Sequence, residues 1–243
     1  MRLFLFLFLI ININTCFAQI NKQSAFIVNI NYHIPSGFFA ELFQNNPSFG
    51  ASFFIEKENN IFYGVEANYL FGNNIKNESL ILSEIKNHDG SIIASDGYYA
   101  NINFSRRGFS SNVFAGYALH FNKTNLSGIY ISLGGGYINQ KILIDTKNEN
   151  VPQLNEEYKK GYDSANDGIF GKLSINYKYY RKKGGIQISA GFYNSIARVK
   201  RLNTYLFNEN INDDSFHLGS EFGFNLGLII PVSKLNQEEF HYY

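Results

Sequence analysis

Five histidines, His33, His88, His120, His217 and His241, limit what acid–base or metal chemistry this chain can perform. A hydrolytic site needs a nucleophile, a base and an orienting acid coupled in space. His217 beside Asp213, Asp214 and Ser215 is the one local grouping of that kind, and an ordinary solvated loop accounts for it better. There is no cysteine pair and no His-x-x-x-His on one face, so zinc-type spacing is absent. Asp163, Asn166, Asp167 and Gly168 offer oxygen ligands of the calcium type, but the ligand series is incomplete and turn chemistry explains these residues. Gly134, Gly135 and Gly136 have the composition of a phosphate loop, yet they fall mid-strand with no helix after them. Close packing of the backbone against a neighbouring element is the simpler reason for them. The residues therefore imply no catalytic set, no metal and no cofactor.

The elements around these residues say more. Arg2, an apolar run over residues 3–11 and Cys16-Phe17-Ala18 before Gln19 have the layout of a signal peptide, 1–18, cleaved after Ala18. Cleavage removes the single cysteine and takes the 21 basic residues to 20, equal to the 20 acidic ones. A neutral chain has no electrostatic case for binding nucleic acid. The rival reading, a lipidated Cys16, fits the preceding Ile13-Asn14-Thr15 poorly.

Eight segments alternate apolar and polar residues with period two, the signature of strands with two unlike faces. They fall at about 24–34, 47–56, 61–71, 109–121, 128–142, 168–180, 185–198 and 216–232. In the last, Leu218, Phe222, Phe224, Leu226, Leu228 and Ile230 oppose Gly219, Glu221, Gly223, Asn225 and Gly227. Short polar connections at 57–60, 122–127 and 181–184 alternate with long ones at 35–46, 72–108, 143–167 and 199–215, as in outer-membrane barrels. The fold expected is all-β, an eight-stranded antiparallel up-and-down transmembrane barrel over 19–232, with a periplasmic tail over 233–243. The 72–108 loop is too long for plain coil. A helical turn near 78–85 and a hairpin through 91–104 are expected there, which leaves ten strands as the alternative.

The polar face decides between a membrane barrel and a soluble one. It consists mainly of Gly, Ser, Asn and Gln, with Glu66, Lys172, Lys178 and Glu221 as its charges. A water-facing surface would carry more charge, whereas small and amide side chains suit a filled eight-stranded interior. Buried charges need partners, so these four are expected to form an ionic network in the lumen. Tyr and Phe reach 17% of the chain and cluster near strand ends, as in interfacial girdles. Arg106, Arg107, Lys141, Arg198, Lys200 and Arg201 are expected at the external rim, where they could grip lipopolysaccharide phosphates.

With this signal cleavage, these strands, the loop pieces Val151-Pro152-Gln153-Leu154 and Lys160-Gly161-Tyr162-Asp163, and the ending Ile230-Pro231-Val232 with Phe240-His241-Tyr242-Tyr243, the chain resembles the PorT-like outer-membrane barrels. That resemblance implies location in the outer membrane and, for some members, a part in secretion or gliding-type machinery. The function expected is non-enzymatic: structural or interaction work through the long loops, with outer-membrane lipids and an envelope complex as partners. An enzyme acting on lipid A or peptides, and a narrow pore or small-molecule carrier, are the alternatives.

Overall fold

The computed structural model describes residues 21–122, 125–146, 150–181, 186–203, 205–207 and 211–232. The expected signal segment with Cys16, and the tail beyond Val232 with His241, lie outside them.

Strands β1 (Asn21–Gly37), β2 (Asn46–Lys57), β3 (Ile61–Gly72), β4 (Asn103–Asn122), β5 (Asn125–Asp145), β6 (Asn166–Tyr179), β7 (Ile188–Arg201) and β10 (Phe216–Pro231) form one closed antiparallel barrel in the order β1-β10-β7-β6-β5-β4-β3-β2. The ring closes through β1, where Val28 pairs with Leu228 on one side and Ala51 on the other. Closure leaves no unpaired sheet edge. The strands start and stop within a few residues of the alternating segments, because the period-two pattern is itself the record of two chemically different faces. The main departure is β4, which begins six residues before the expected 109.

The barrel closes on eight strands, and the extra pairing lies outside it. The two-residue strands β8 (Tyr205–Leu206) and β9 (Ile211–Asn212) pair with each other within the β7–β10 loop. The expected helical turn is present as α2 (Glu78–Ile81) followed by a 3-10 turn, Ser83–Ile85. The expected hairpin is only a tight turn joined by the Ile93–Tyr99 bridge. At the other end Asn60 takes φ 65 in the β2–β3 turn, a left-handed conformation asparagine tolerates, and its N–H donates to the Lys57 carbonyl at 3.0 Å.

Inside, the barrel has three levels. At the long-loop end α1 (Phe38–Leu42) folds inward, and Phe38, Phe39, Leu42 and Phe43 join Ile81, Leu82, Val151 and Leu154 in an apolar cap. Gly219 makes room for it, since a Cβ there would stand 2.6 Å from the Phe39 ring. The middle level is polar. At the short-turn end Phe54, Phe62, Tyr130 and Tyr180 form an aromatic plug with Ile27 and Ile229.

The outer wall has the opposite character. On β4 the outward residues from Phe109 to Phe121 are apolar except Ser111. Large aliphatic groups such as Leu133, Ile169, Leu218 and Leu226 are more than 60% exposed. Twelve residues of strand tilted by about 40° give a band roughly 30 Å high, comparable to the hydrocarbon thickness of a bilayer. Tyr69, Phe109 and Tyr137 border the band toward the long loops, with Tyr63, Tyr117, Tyr177 and Tyr179 toward the short turns.

Candidate functional site in the lumen

The polar level is one hydrogen-bonded ladder across several strands. Arg106 on β4 is fully buried. Its Nη2 donates to Glu221 Oε1 at 2.6 Å and to Gln140 Oε1 at 2.5 Å, its Nε donates to the same amide oxygen at 3.0 Å, and its guanidinium lies 4.6 Å from the Phe43 ring centre. Glu221 Oε2 stands 3.0 Å from His33 Nδ1, and His33 Nε2 stands 2.8 Å from Ser48 Oγ. The Tyr193 hydroxyl shares Nδ1 at 2.8 Å. Asn31 Nδ2 donates to Ser48 Oγ and to Asn68 Oδ1, each at 3.0 Å, and Asn68 Nδ2 donates to Glu66 Oε1 at 3.1 Å. Lys172 Nζ donates to both Glu66 oxygens at 2.8 Å and lies over the Tyr193 ring. Two ion pairs are thus joined through His33, Ser48, Asn31 and Asn68, the arrangement that makes buried charge tolerable.

Of the four residues expected to form one lumenal network, the structure pairs Glu66 with Lys172, while Glu221 takes Arg106 and His33 as partners. Lys178 is the correction. It lies one level lower, inside the aromatic plug, with Nζ 3.3 Å from the Phe54 ring centre and 4.1 Å from that of Tyr130. The acid at its level is Glu56, whose carboxylate meets His120 Nε2 at 2.6 Å and accepts the Tyr130 hydroxyl at 2.9 Å. Lys178 sits six residues along β6 from Lys172, about 20 Å at strand rise, too far to share its acids.

Arg106 and Arg201 correct the expected rim cluster. Because β4 starts at Asn103, Arg106 and Arg107 are strand neighbours on opposite faces, and Arg106 takes the inward one. Arg201 is also inward and buried, with Nε on Asp213 Oδ2 at 2.9 Å. Arg107, Lys141, Arg198 and Lys200 do point outward near the long-loop end. Arg198 lies 4.2 Å from the Phe216 ring centre, and Lys200 pairs with Asp214 at 2.7 Å.

Asp213, Ser215 and His217 do come together, but in the wrong order for catalysis. Asp213 Oδ2 at 2.8 Å and Ser215 Oγ at 3.3 Å both meet His217 Nε2, so no proton can pass through the ring from one to the other. The Ser215 hydroxyl and amide, with His217, hold the Asp213 carboxyl well below the usual carboxylate range. His217 stacks on Phe38 at 4.2 Å. The group is a clasp between the β7–β10 loop and α1. The calcium-type oxygens diverge: Asp163 caps the Ala165 amide, Asn166 turns to Ser164 and Gln140, and Asp167 bonds outward to the Tyr137 hydroxyl. No cluster of three or more metal-ligating side chains occurs among the described residues.

Residue types alone did not reveal Ser48–His33–Glu221, which has the order of a serine hydrolase relay. The available signal was strand phase: Ser48, His33 and Glu221 all occupy inward positions toward the long-loop ends of β2, β1 and β10, which are neighbours in the ring. Ser48 is nevertheless fully buried. The spaces around the ladder are small, about 50 Å³ beside Glu66 and Lys172 and about 30 Å³ beside His33 and Phe39. These hold a few waters at most, given roughly 10–15 Å³ for each.

No protein-family model and no curated protein sequence matches the chain. Among solved structures it is similar to Neisserial surface protein A, at 12% identity and TM-score 0.40 over 84% of this chain and 96% of that one. It is likewise similar to Ail of Yersinia pestis, at 10% identity and TM-score 0.39 over 87% and 100%. The outer membrane protein AlkL gives 10% identity and TM-score 0.41 over 91% and 96%. The barrel assignment rests on this chain's own closed strand order and register.

Proposed function

We propose that the chain is an outer-membrane β-barrel with a non-enzymatic structural or interaction role, its loop-built cap presented at the cell surface to an envelope partner. The observation carrying this reading is the inversion of faces. A closed barrel buries amides, hydroxyls and ion pairs while exposing a continuous belt of aliphatic and aromatic groups, which water disfavours and lipid accepts. Participation in a secretion or assembly complex is the form of this role that the PorT-like resemblance implies. Fractionated envelopes test it, with heat-modifiable gel migration read beside mass spectrometry of co-purifying proteins. A shifted outer-membrane band with a stoichiometric companion is expected. A soluble, unshifted protein overturns the membrane reading.

A second reading, an acyl hydrolase, is favoured by the Ser48–His33–Glu221 order. Burial of Ser48 beneath the cap opposes it, since a nucleophile must be reached by its substrate. A fluorophosphonate probe separates the two in detergent-solubilised protein. The non-enzymatic reading expects no labelling, and labelling lost in Ser48→Ala would establish the enzyme.

A further inference from the structure

Arg107 and Lys141 face each other directly across β4 and β5, both on the outer wall. Like charges in that position repel; neither forms an ion pair among the described residues, the nearby acids being Asp163, which feels the charge of Lys141, and Asp167, which is held by the Tyr137 hydroxyl. Arg107 Nη1 donates to the Arg106 carbonyl at 2.7 Å, which orients the guanidinium and occupies one of its donors. Such a pair suits an anion with several oxygens, a phosphate above all.

Below this pair the wall is recessed. Ala51, Ala67 and Ser111 stand side by side on β2, β3 and β4, with Gly135 one step lower on β5. They floor a groove of about 630 Å³ bordered by Phe53, Val113, Tyr137 and Ile169. The interior does not require glycine at 135. A Cβ there would meet only the Phe170 carbonyl at 3.7 Å, whereas one at Gly136 would stand 1.9 Å from the Ser111 carbonyl. Gly171, paired with Gly135, is equally open, with the Gly134 carbonyl at 3.9 Å as the nearest atom. The two glycines weaken the strands without relieving a clash, which is expected where another molecule approaches the backbone.

The two features are aligned. Arg107 lies four residues above Ser111, and Lys141 four above Tyr137, so about 13 Å of strand, or about 10 Å of depth at a tilt of about 40°, separates the cations from the groove. Half the hydrocarbon thickness of a bilayer is about 15 Å. One lipid molecule can therefore set a phosphate on the cations and an acyl chain in the recess. We propose that this wall is a seat for lipid A, whose phosphates lie at the outer-leaflet surface beside the long-loop end. The proposal rests on the outer-membrane reading given above.

The test uses the chain refolded in lipid-free nonionic detergent and titrated with bisphosphorylated lipid A, with bound lipid counted by native mass spectrometry. One lipid per barrel is expected. Arg107→Gln with Lys141→Gln should weaken it by about tenfold or more, the scale of a lost charged hydrogen bond. Gly135→Leu, which fills the groove from an open position, should weaken it comparably, with Ala67→Leu as a second filling variant. Dephosphorylated lipid A should bind the parent chain only as well as the Gln variant binds lipid A. Equal binding by all variants overturns the seat, and equal binding of phosphatidylglycerol overturns its assignment to lipid A. Heat-modifiable migration of the same samples tests the membrane reading separately. A shifted band with unchanged lipid binding rejects the seat alone, and an unshifted parent rejects both.

Discussion

Replacing Glu221 by glutamine keeps the side-chain shape and removes the charge that neutralises Arg106. Arg106 has no exposure to fall back on, and Glu221 is the one carboxylate that it meets among the described residues. The Gln140 amide, the introduced amide and the Phe43 ring would remain, holding a full cation with neutral groups alone. Removing one member of a buried ion pair costs about 3–5 kcal/mol, against about 0–1 kcal/mol for an exposed pair such as Lys200–Asp214. Glu221→Gln should therefore lower unfolding free energy by several kcal/mol, whereas Asp214→Asn should change it by less than about 1 kcal/mol. In Arg106→Met with Glu221→Gln both charges are gone, and the double variant should be more stable than Glu221→Gln alone. The chain has no tryptophan, so tyrosine fluorescence and circular dichroism during urea unfolding in detergent, beside the gel shift, provide the readout. Loss of under about 1 kcal/mol in Glu221→Gln, or strictly additive effects in the double variant, would refute the view that the ladder is built on this ion pair.

Gly136→Ala should prevent or severely impair folding, because its methyl would collide with the Ser111 carbonyl, while Gly135→Ala should fold normally; refolding yield by gel shift distinguishes them. The Asp213 carboxyl is depressed by its Ser215 and His217 contacts, so the clasp contributes above the ordinary aspartate pKa near 4 and is lost as pH falls through the lower folded value. Protease cleavage within 202–215 should accordingly rise in acid, and Asp213→Asn should show the raised cleavage already at neutral pH. Planar-bilayer recordings should show no steady conductance, since the apolar cap and the Phe54–Phe62–Tyr130 plug close both ends; stable channels would contradict the packing described for the lumen.

Strand positions, loop alternation and the eight-strand count were legible in the sequence because one binary property, polar against apolar, changes with every residue along a barrel strand. Charge placement was less so. A shift of one residue moves a side chain from lumen to lipid, and Arg106 and Arg107 differ by that single step. With the alternation legible only from 109, both fall in the expected 72–108 loop, where phase has no meaning. Glu56 was legible in principle, as it continues the inward phase of Ser48 and Ser52, but it lies at a strand end beside Lys57 and reads as turn chemistry. Pairing was the least accessible property. Which acid meets which base depends on strand order and stagger, and Glu66 reaches Lys172 across 106 positions of sequence.

The cap also governs which parts of the loops are free to change. Residues 38–43, 81–82 and 151–154 are fastened to one another by their apolar side chains, so an insertion in any of them would disturb the rest. Gly90 and Gly97 stand apart from this packing. Both sit at positive φ on turns of the 73–102 loop, and a side chain added at either would meet nothing within 4 Å. On the proposed outer-membrane reading, foreign peptides intended for display, or epitope tags for locating the chain on intact cells, belong at these two tips.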